Sequence, residues 1–236
     1  MKAASEARSE PKASGGGGAG YAGAVPAILA VIFDLGGVVL DSPLHAIAEL
    51  EHEQGIPAGF VNRTVVASGP AGAWARLERG ELDLDAFYAA FDRECAAAGH
   101  PLCARELMER IAAGSQPRPM ILAAVRRIRE RGLRTAALTN NWAGDGVSVL
   151  GPHFDVFVES SVLGLRKPDP RIYEHACRCL AIEARQAVFL DDIGSNLKTA
   201  RALGMTTIKV TSPGQALADL ETVLGFALSD FSPPGE

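Results

Sequence analysis

Apolar residues along this chain fall into two kinds of pattern that take turns. Five short stretches are largely apolar: Ile28–Phe33, Leu133–Leu138, Val156–Val158, Ala187–Leu190 and Thr206–Val210. Runs of that kind predict strands buried on both faces, as parallel strands are. Between the later runs lie Pro119–Arg131, Pro170–Leu180, Asn196–Leu203 and Gly214–Leu224, whose apolar positions recur at helical spacing. Strand and helix signals in alternation predict an α/β fold, a doubly wound parallel sheet.

One interval breaks the rhythm. On the order of a hundred residues part the first run from the second, whereas a βαβ crossover needs about a dozen. The interval reads as helical. Asp83 is placed to cap a helix in which Phe87 and Phe91 sit one turn apart, and Cys103–Ala113 carries a similar stripe. Residues 43–116 are therefore expected to form a helical cap over the sheet's C-terminal edge, with the α/β core in 27–42 and 117–236. Trp74, Phe87, Tyr88 and Phe91 fit core positions, and Trp74, in a Gly-rich neighbourhood, is also a candidate pocket residue. Residues 1–26, with Gly15–Gly18 among many Ala, Ser and Glu, are expected to be a flexible tail.

Composition narrows the partners. The 236 residues, 47% hydrophobic and 22% charged, suffice for one full core and a small second domain. A net charge of -5 argues against nucleic acid as a partner, which would need a concentrated basic face. Arg126, Arg127, Arg129 and Arg131 alternate with apolar residues and read as a solvated helix face. The cysteines Cys95, Cys103, Cys177 and Cys179 lack zinc or redox spacing and are expected to be reduced and mostly buried. His45 and His52 can share a helix face but have no partners that complete a site. No apolar run is long enough to cross a bilayer, and Glu6 and Glu10 count against a transit peptide, so a cytoplasmic location is expected. No heptad or other interface pattern fixes an oligomeric state.

The chemistry gathers where the predicted strands end, at the edge where open α/β sheets bind ligands. Asp34–Leu35–Gly36–Gly37–Val38 follows the first run and Thr139–Asn140–Asn141 the second. Arg166–Lys167–Pro168–Asp169–Pro170 follows the third, and Asp191–Asp192–Ile193–Gly194–Ser195–Asn196 the fourth. Asp169 with Pro170 has an ordinary role as a helix cap. The remaining carboxylates, the Thr139 hydroxyl and the Lys167 ammonium would converge on one rim. Acids that close repel, a divalent cation relieves the repulsion, and hard oxygen donors suit Mg2+. Lys167 and the loop N–H groups would then hold an anion beside it.

In order and spacing these segments resemble the motifs of the haloacid dehalogenase-like hydrolase superfamily, from about residue 28 to Phe226, including a helical cap inserted after the first motif. They are most similar to the phosphatase-type domains that precede soluble epoxide hydrolases, and closer still to the equivalent domain of an acyl-CoA dehydrogenase family member. The resemblance implies that Asp34 is the nucleophile, forming an aspartyl-phosphate from a small phosphorylated substrate. It implies magnesium held by Asp34, the Gly36 carbonyl and Asp192, with Asp191 and Asn196 orienting water or the loop from behind. Thr139 and the Asn140 N–H would hold phosphoryl oxygens, and Lys167 would neutralise charge on Asp34 and the phosphate.

The pattern departs from the family's phosphatases at one place. Where they carry a second Asp as general acid–base, two residues after the nucleophile, this chain has Gly36. That leaves three readings: a phosphatase favouring good leaving groups or borrowing another acid such as Asp41, a phosphate-binding or regulatory module with little turnover, and a metal-free dehalogenase. Asp41 also fits a loop or helix-cap role, and the paired Asp191–Asp192 speaks for a cation and against the dehalogenase.

Overall fold

The computed structural model describes residues 27–228; the tail expected over residues 1–26 lies outside the described residues. Five parallel strands form one sheet: β1 (Ala30–Phe33), β2 (Arg134–Thr139), β3 (Val156–Glu159), β4 (Ala187–Asp191) and β5 (Thr206–Lys209). Their order is β3-β2-β1-β4-β5, so the first strand is central and the chain winds away from it in both directions. That reversal opens a crevice at the C-terminal end of β1.

The expected boundaries hold to within two residues. β1 begins at Ala30 because Leu29 and Ile28 precede the ladder, although the Leu29 N–H already reaches Gln186 O at 2.8 Å. Successive β1 residues face opposite layers, as the strand period requires. Val31 and Phe33 pack with Ile121, Val125 and Ile128 of a helix at Pro119–Glu130, and with Leu217 and Leu220 of another at Pro213–Leu224. Ala30 and Ile32 pack on the other face against Ile172, Tyr173 and Ala176 of a helix at Pro170–Cys179 and Leu197 of one at Gly194–Ala202.

Between β1 and the helix at Pro119–Glu130 the chain forms five α-helices: α1 (Pro43–Glu53), α2 (Phe60–Ser68), α3 (Ala73–Glu78), α4 (Leu84–Ala97) and α5 (Ala104–Gly114). Their buried residues, Leu50, Leu77, Phe87, Phe91 and Leu107 among them, make a third cluster separate from the two that sandwich the sheet. The starts of α2 to α5 are satisfied by carboxylates. Asp83 caps α4 by accepting from the Ala86 N–H, as its position predicts. Distant acids serve the others: buried Glu51 accepts from the Gly59 and Val61 N–H groups, Glu94 from Ala73 and Asp92 from Ala104. After this body the fold resumes with α6 (Pro119–Glu130), then β2, β3, α7 (Ser160–Leu163), α8 (Pro170–Cys179), β4, α9 (Gly194–Ala202), β5 and α10 (Pro213–Leu224).

One expectation is corrected. Cys95 and Cys177 are buried, but Cys103 and Cys179 are exposed. Cys103 precedes the first turn of α5 and Cys179 sits on the outer face of α8, two residues from Cys177 and hence on another side of the helix. Burial holds the Cys95 thiol up at about 12, which keeps it protonated. Arg126, Arg129 and Arg131 lie exposed on α6 and just beyond it, in keeping with a solvated face.

Candidate active site

Register brings the acids together. The Asp34 N–H donates to Leu190 O at 2.9 Å, which sets Asp34 level with Asp191 at the end of β4. The chain then turns sharply. Asp34 Oδ1 accepts from the Leu35 N–H at 2.7 Å, and Gly37 adopts φ 75°. A Cβ on Gly37 would stand 2.2 Å from Asp192 Oδ2, so only glycine lets the Asp192 carboxylate lie against this turn. Arg118, just before α6, fastens the turn by donating to Gly37 O at 2.7 Å. Asp41 pairs with the same arginine at 3.2 Å, and Ser42 supplies the α1 cap. Asp41 therefore has the loop role and Ser42 the cap.

Lys167 is buried between carboxylates, its Nζ 2.7 Å from Asp34 Oδ1 and 2.8 Å from Asp191 Oδ2. Asp191 has its oxygens fully engaged: besides Lys167, it accepts from the Ile193 N–H at 2.7 Å and from Asn196 Nδ2 at 3.0 and 3.1 Å. Asn196 is fixed in turn, its carbonyl accepting from the Tyr173 hydroxyl at 3.0 Å. Asp34, Asp191 and Asp192 each offer an oxygen within 4.8 Å of the others.

One ammonium among three carboxylates leaves a charge deficit. Burial pushes Asp34 well above the usual carboxylate range; Lys167 opposes this and Asp191 and Asp192 add to it. Burial and then Asp191 raise Asp192 as well. Burial alone would lower Lys167, but Asp191 and Asp34 outweigh it and hold the ammonium charged. A divalent cation fits this donor set, because hard oxygens are present and the excess negative charge is buried. Asp34 and Asp192 are the carboxylates turned toward a cavity of about 610 Å³ that such an ion would share with a ligand.

The second loop contributes Thr139 and Asn140. Thr139 ends β2 beside β1, buried, with its hydroxyl 3.4 Å from Asn140 O. The Asn140 side chain clamps the Lys167 backbone, accepting from its N–H at 2.8 Å and donating to its O at 3.0 Å. Asn141 serves the framework, bonding Ser160, Ser161 and Glu159. Asp169 caps α8 through the Arg171 N–H, as expected from Asp169–Pro170.

Two residues went unrecognised in the sequence. Glu78, at the end of α3, is buried against the same cavity, and Arg166 Nε meets its Oε2 at 2.5 Å. Trp74 Nε1 donates to Glu78 Oε1 at 3.0 Å, and Trp74 itself lines the cavity, as its surroundings suggested. The i, i+4 pairing of Trp74 and Glu78 was the available signal; their meeting with Arg166 has none. A second cavity of about 400 Å³ shares Gly36, Asn140 and Trp142 with the first, has Thr139 in its own lining, and runs between apolar walls such as Leu40, Tyr88 and Leu150.

Residues 28–204 match the model of the haloacid dehalogenase-like hydrolase family. Acyl-CoA dehydrogenase family member 10 of Mus musculus is 38% identical over 206 residues, 84% of this chain and 19% of that protein. Bifunctional epoxide hydrolase 2 of Sus scrofa is 32% identical over 220 residues, 86% of this chain and 40% of that protein. The chain thus spans from about a fifth to two-fifths of these relatives' length. In fold it is similar to a HAD family enzyme from Bacteroides thetaiotaomicron solved with magnesium and inorganic phosphate, with a TM-score of 0.55 at 17% identity over 78% of this chain and 96% of that one.

Proposed function

The chain belongs to the haloacid dehalogenase-like hydrolase family, and from that premise we propose that it is a magnesium-dependent phosphatase that attacks a small phosphorylated metabolite with Asp34. The observation that carries this reading is the cluster at the centre of the sheet edge, three carboxylates, with Asp34 and Asp191 buried and Asp192 half-buried, against the single ammonium of Lys167. In this reading Asp34, the Gly36 carbonyl and Asp192 hold magnesium, which supplies positive charge against the phosphate. Asp191 and Asn196 keep Lys167 and the loop in place from behind.

Asp34 Oδ1 already carries Lys167 and the Leu35 N–H. Its carboxylate attacks phosphorus, the bond to the leaving oxygen breaks, and an aspartyl-phosphate results, which water then hydrolyses. Thr139, the Asn140 N–H and Lys167 hold the phosphoryl oxygens through both steps. Gly36 offers no acid for the leaving oxygen, so esters with good leaving groups react fastest. The helices α1–α5 act as the cap, which closes over the cavity and excludes water.

A second reading, a phosphate-binding module with little turnover, is favoured by Gly36 alone. Purified protein assayed with an aryl phosphate, with and without magnesium, separates the two. Magnesium-dependent turnover that Asp34→Asn abolishes is the expected result. Binding of magnesium and phosphate with no turnover across a broad ester panel would establish the module instead, and halide release without metal would overturn both.

A further inference from the structure

The two cavities that meet at the site are lined by two cations among the described residues, Lys167 and Arg166. Lys167 is committed to Asp34 and Asp191. Arg166 is committed to Glu78, and no other cation remains to meet a second anionic group on a ligand. The remaining charged lining is acidic, with Glu109 and Asp145 in the smaller, mostly apolar space.

Glu78 is held for this task. Burial raises the Glu78 carboxyl above its usual range, but each hydrogen-bond partner is a donor that pulls the other way: Trp74 to its Oε1, Arg166 to its Oε2, and Asn140 Nδ2 at 3.5 Å. Trp74 is fixed by edge-on contacts with Phe87 and Phe91, at 5.6 and 5.5 Å between ring centres. The end of α3 docks so closely on α7 that a Cβ on Gly80 would lie 2.4 Å from Ser161 O. Glu78 is thus delivered to Arg166 by a rigid element.

We propose that Glu78 is a specificity-determining residue: by occupying Arg166 it restricts the enzyme to phosphate esters whose leaving group is uncharged. The inference rests on the phosphatase reading of the site. An ester with a carboxylate in its leaving group would meet Glu78, Glu109 and Asp145 with no free cation, and would be rejected by repulsion and unpaired burial. Removing the Glu78 charge frees the Arg166 guanidinium to accept that carboxylate.

The test compares alkyl phosphates with the same chains ended by a carboxylate, using the whole protein with magnesium. Wild type is expected to prefer the uncharged ester in kcat/KM by about tenfold or more, the worth of one charged hydrogen bond. Glu78→Gln, which keeps an acceptor for Trp74, is expected to narrow that preference by about tenfold, chiefly through KM of the carboxylated ester. Adding Arg166→Gln should restore the preference. Equal losses on both esters, or an unchanged ratio, would mean a structural role only and overturn the proposal. Calorimetric binding of an alkylphosphonate and its carboxylated analogue reads the same ratio without turnover. If both phosphonates bind but neither ester is hydrolysed, the phosphatase reading fails while the binding ratio still decides the role of Glu78. If neither binds to any variant, both fall.

Discussion

Two adjacent glycines meet opposite demands. Gly37 has a left-handed φ and no room for a Cβ against Asp192. Gly36 has φ -60° and ψ 128°, open to any L-residue, and its Cβ would meet the Pro43 ring at ordinary distances, 3.5 Å to Cδ and 3.9 Å to Cγ. Backbone geometry therefore does not require glycine where related phosphatases carry an acid. Gly36→Asp is expected to fold and to speed hydrolysis of alkyl phosphates by about 10²-fold, the low end of what a general acid supplies. p-Nitrophenyl phosphate, whose leaving group needs no proton, should change little. Equal effects on both esters in steady-state assays would show that the new carboxylate is not acting as an acid.

Elements are joined by a few polar clasps, and one of them makes stability depend on pH. Asp155, just before β3, accepts from the Thr135 N–H of β2 at 2.8 Å and from its hydroxyl at 3.1 Å, and pairs with Arg129 of α6 at 2.8 Å. Burial raises its pKa, but the Thr135 donors and Arg129 outweigh burial and leave it below the usual carboxylate range. A carboxylate depressed in the folded state adds stability above its unfolded value, near ~3.9, and loses it as pH falls through the folded value. Asp155→Asn is thus expected to cost on the order of 1 kcal/mol at neutral pH, a modest figure because the pair is partly exposed. Urea unfolding should show this cost shrinking steadily below about pH 4, toward the folded pKa. A cost that is the same at neutral and acid pH would assign it to packing instead.

For the molecule as a whole, the buried excess of negative charge means that stability and cation binding are linked. Magnesium at a hundredfold excess over its Kd should stabilise the fold by about 2.7 kcal/mol. For a domain of this size that is a rise in Tm of roughly 5–10 °C, reversed by EDTA. Asp192→Asn should abolish the rise, yet in EDTA it should melt no lower than wild type, because it removes a carboxylate that repels Asp191 and Asp34. A Tm insensitive to magnesium, by scanning calorimetry, would sink the metal reading. Among the described residues no helix is long and apolar enough to cross a membrane.

The sequence by itself determined the strands, their alternation with helices, and the four loops that carry Asp34, Thr139, Lys167 and Asp191–Asp192. It could do so because burial on both faces leaves continuous apolar runs, and because βα order sends the residue after each strand to one edge. Tertiary structure alone decided that Asp34 stands level with Asp191, since strand order and register lie in pairings between distant segments. It alone decided that Asp41 belongs to Arg118 and that Cys103 and Cys179 face outward. The meeting of Glu78 with Arg166, 88 residues away, was also beyond the sequence. A single acid on an amphipathic helix has the same local pattern whether it faces water or a half-buried guanidinium, and only the docking of α3 on α7 settles which.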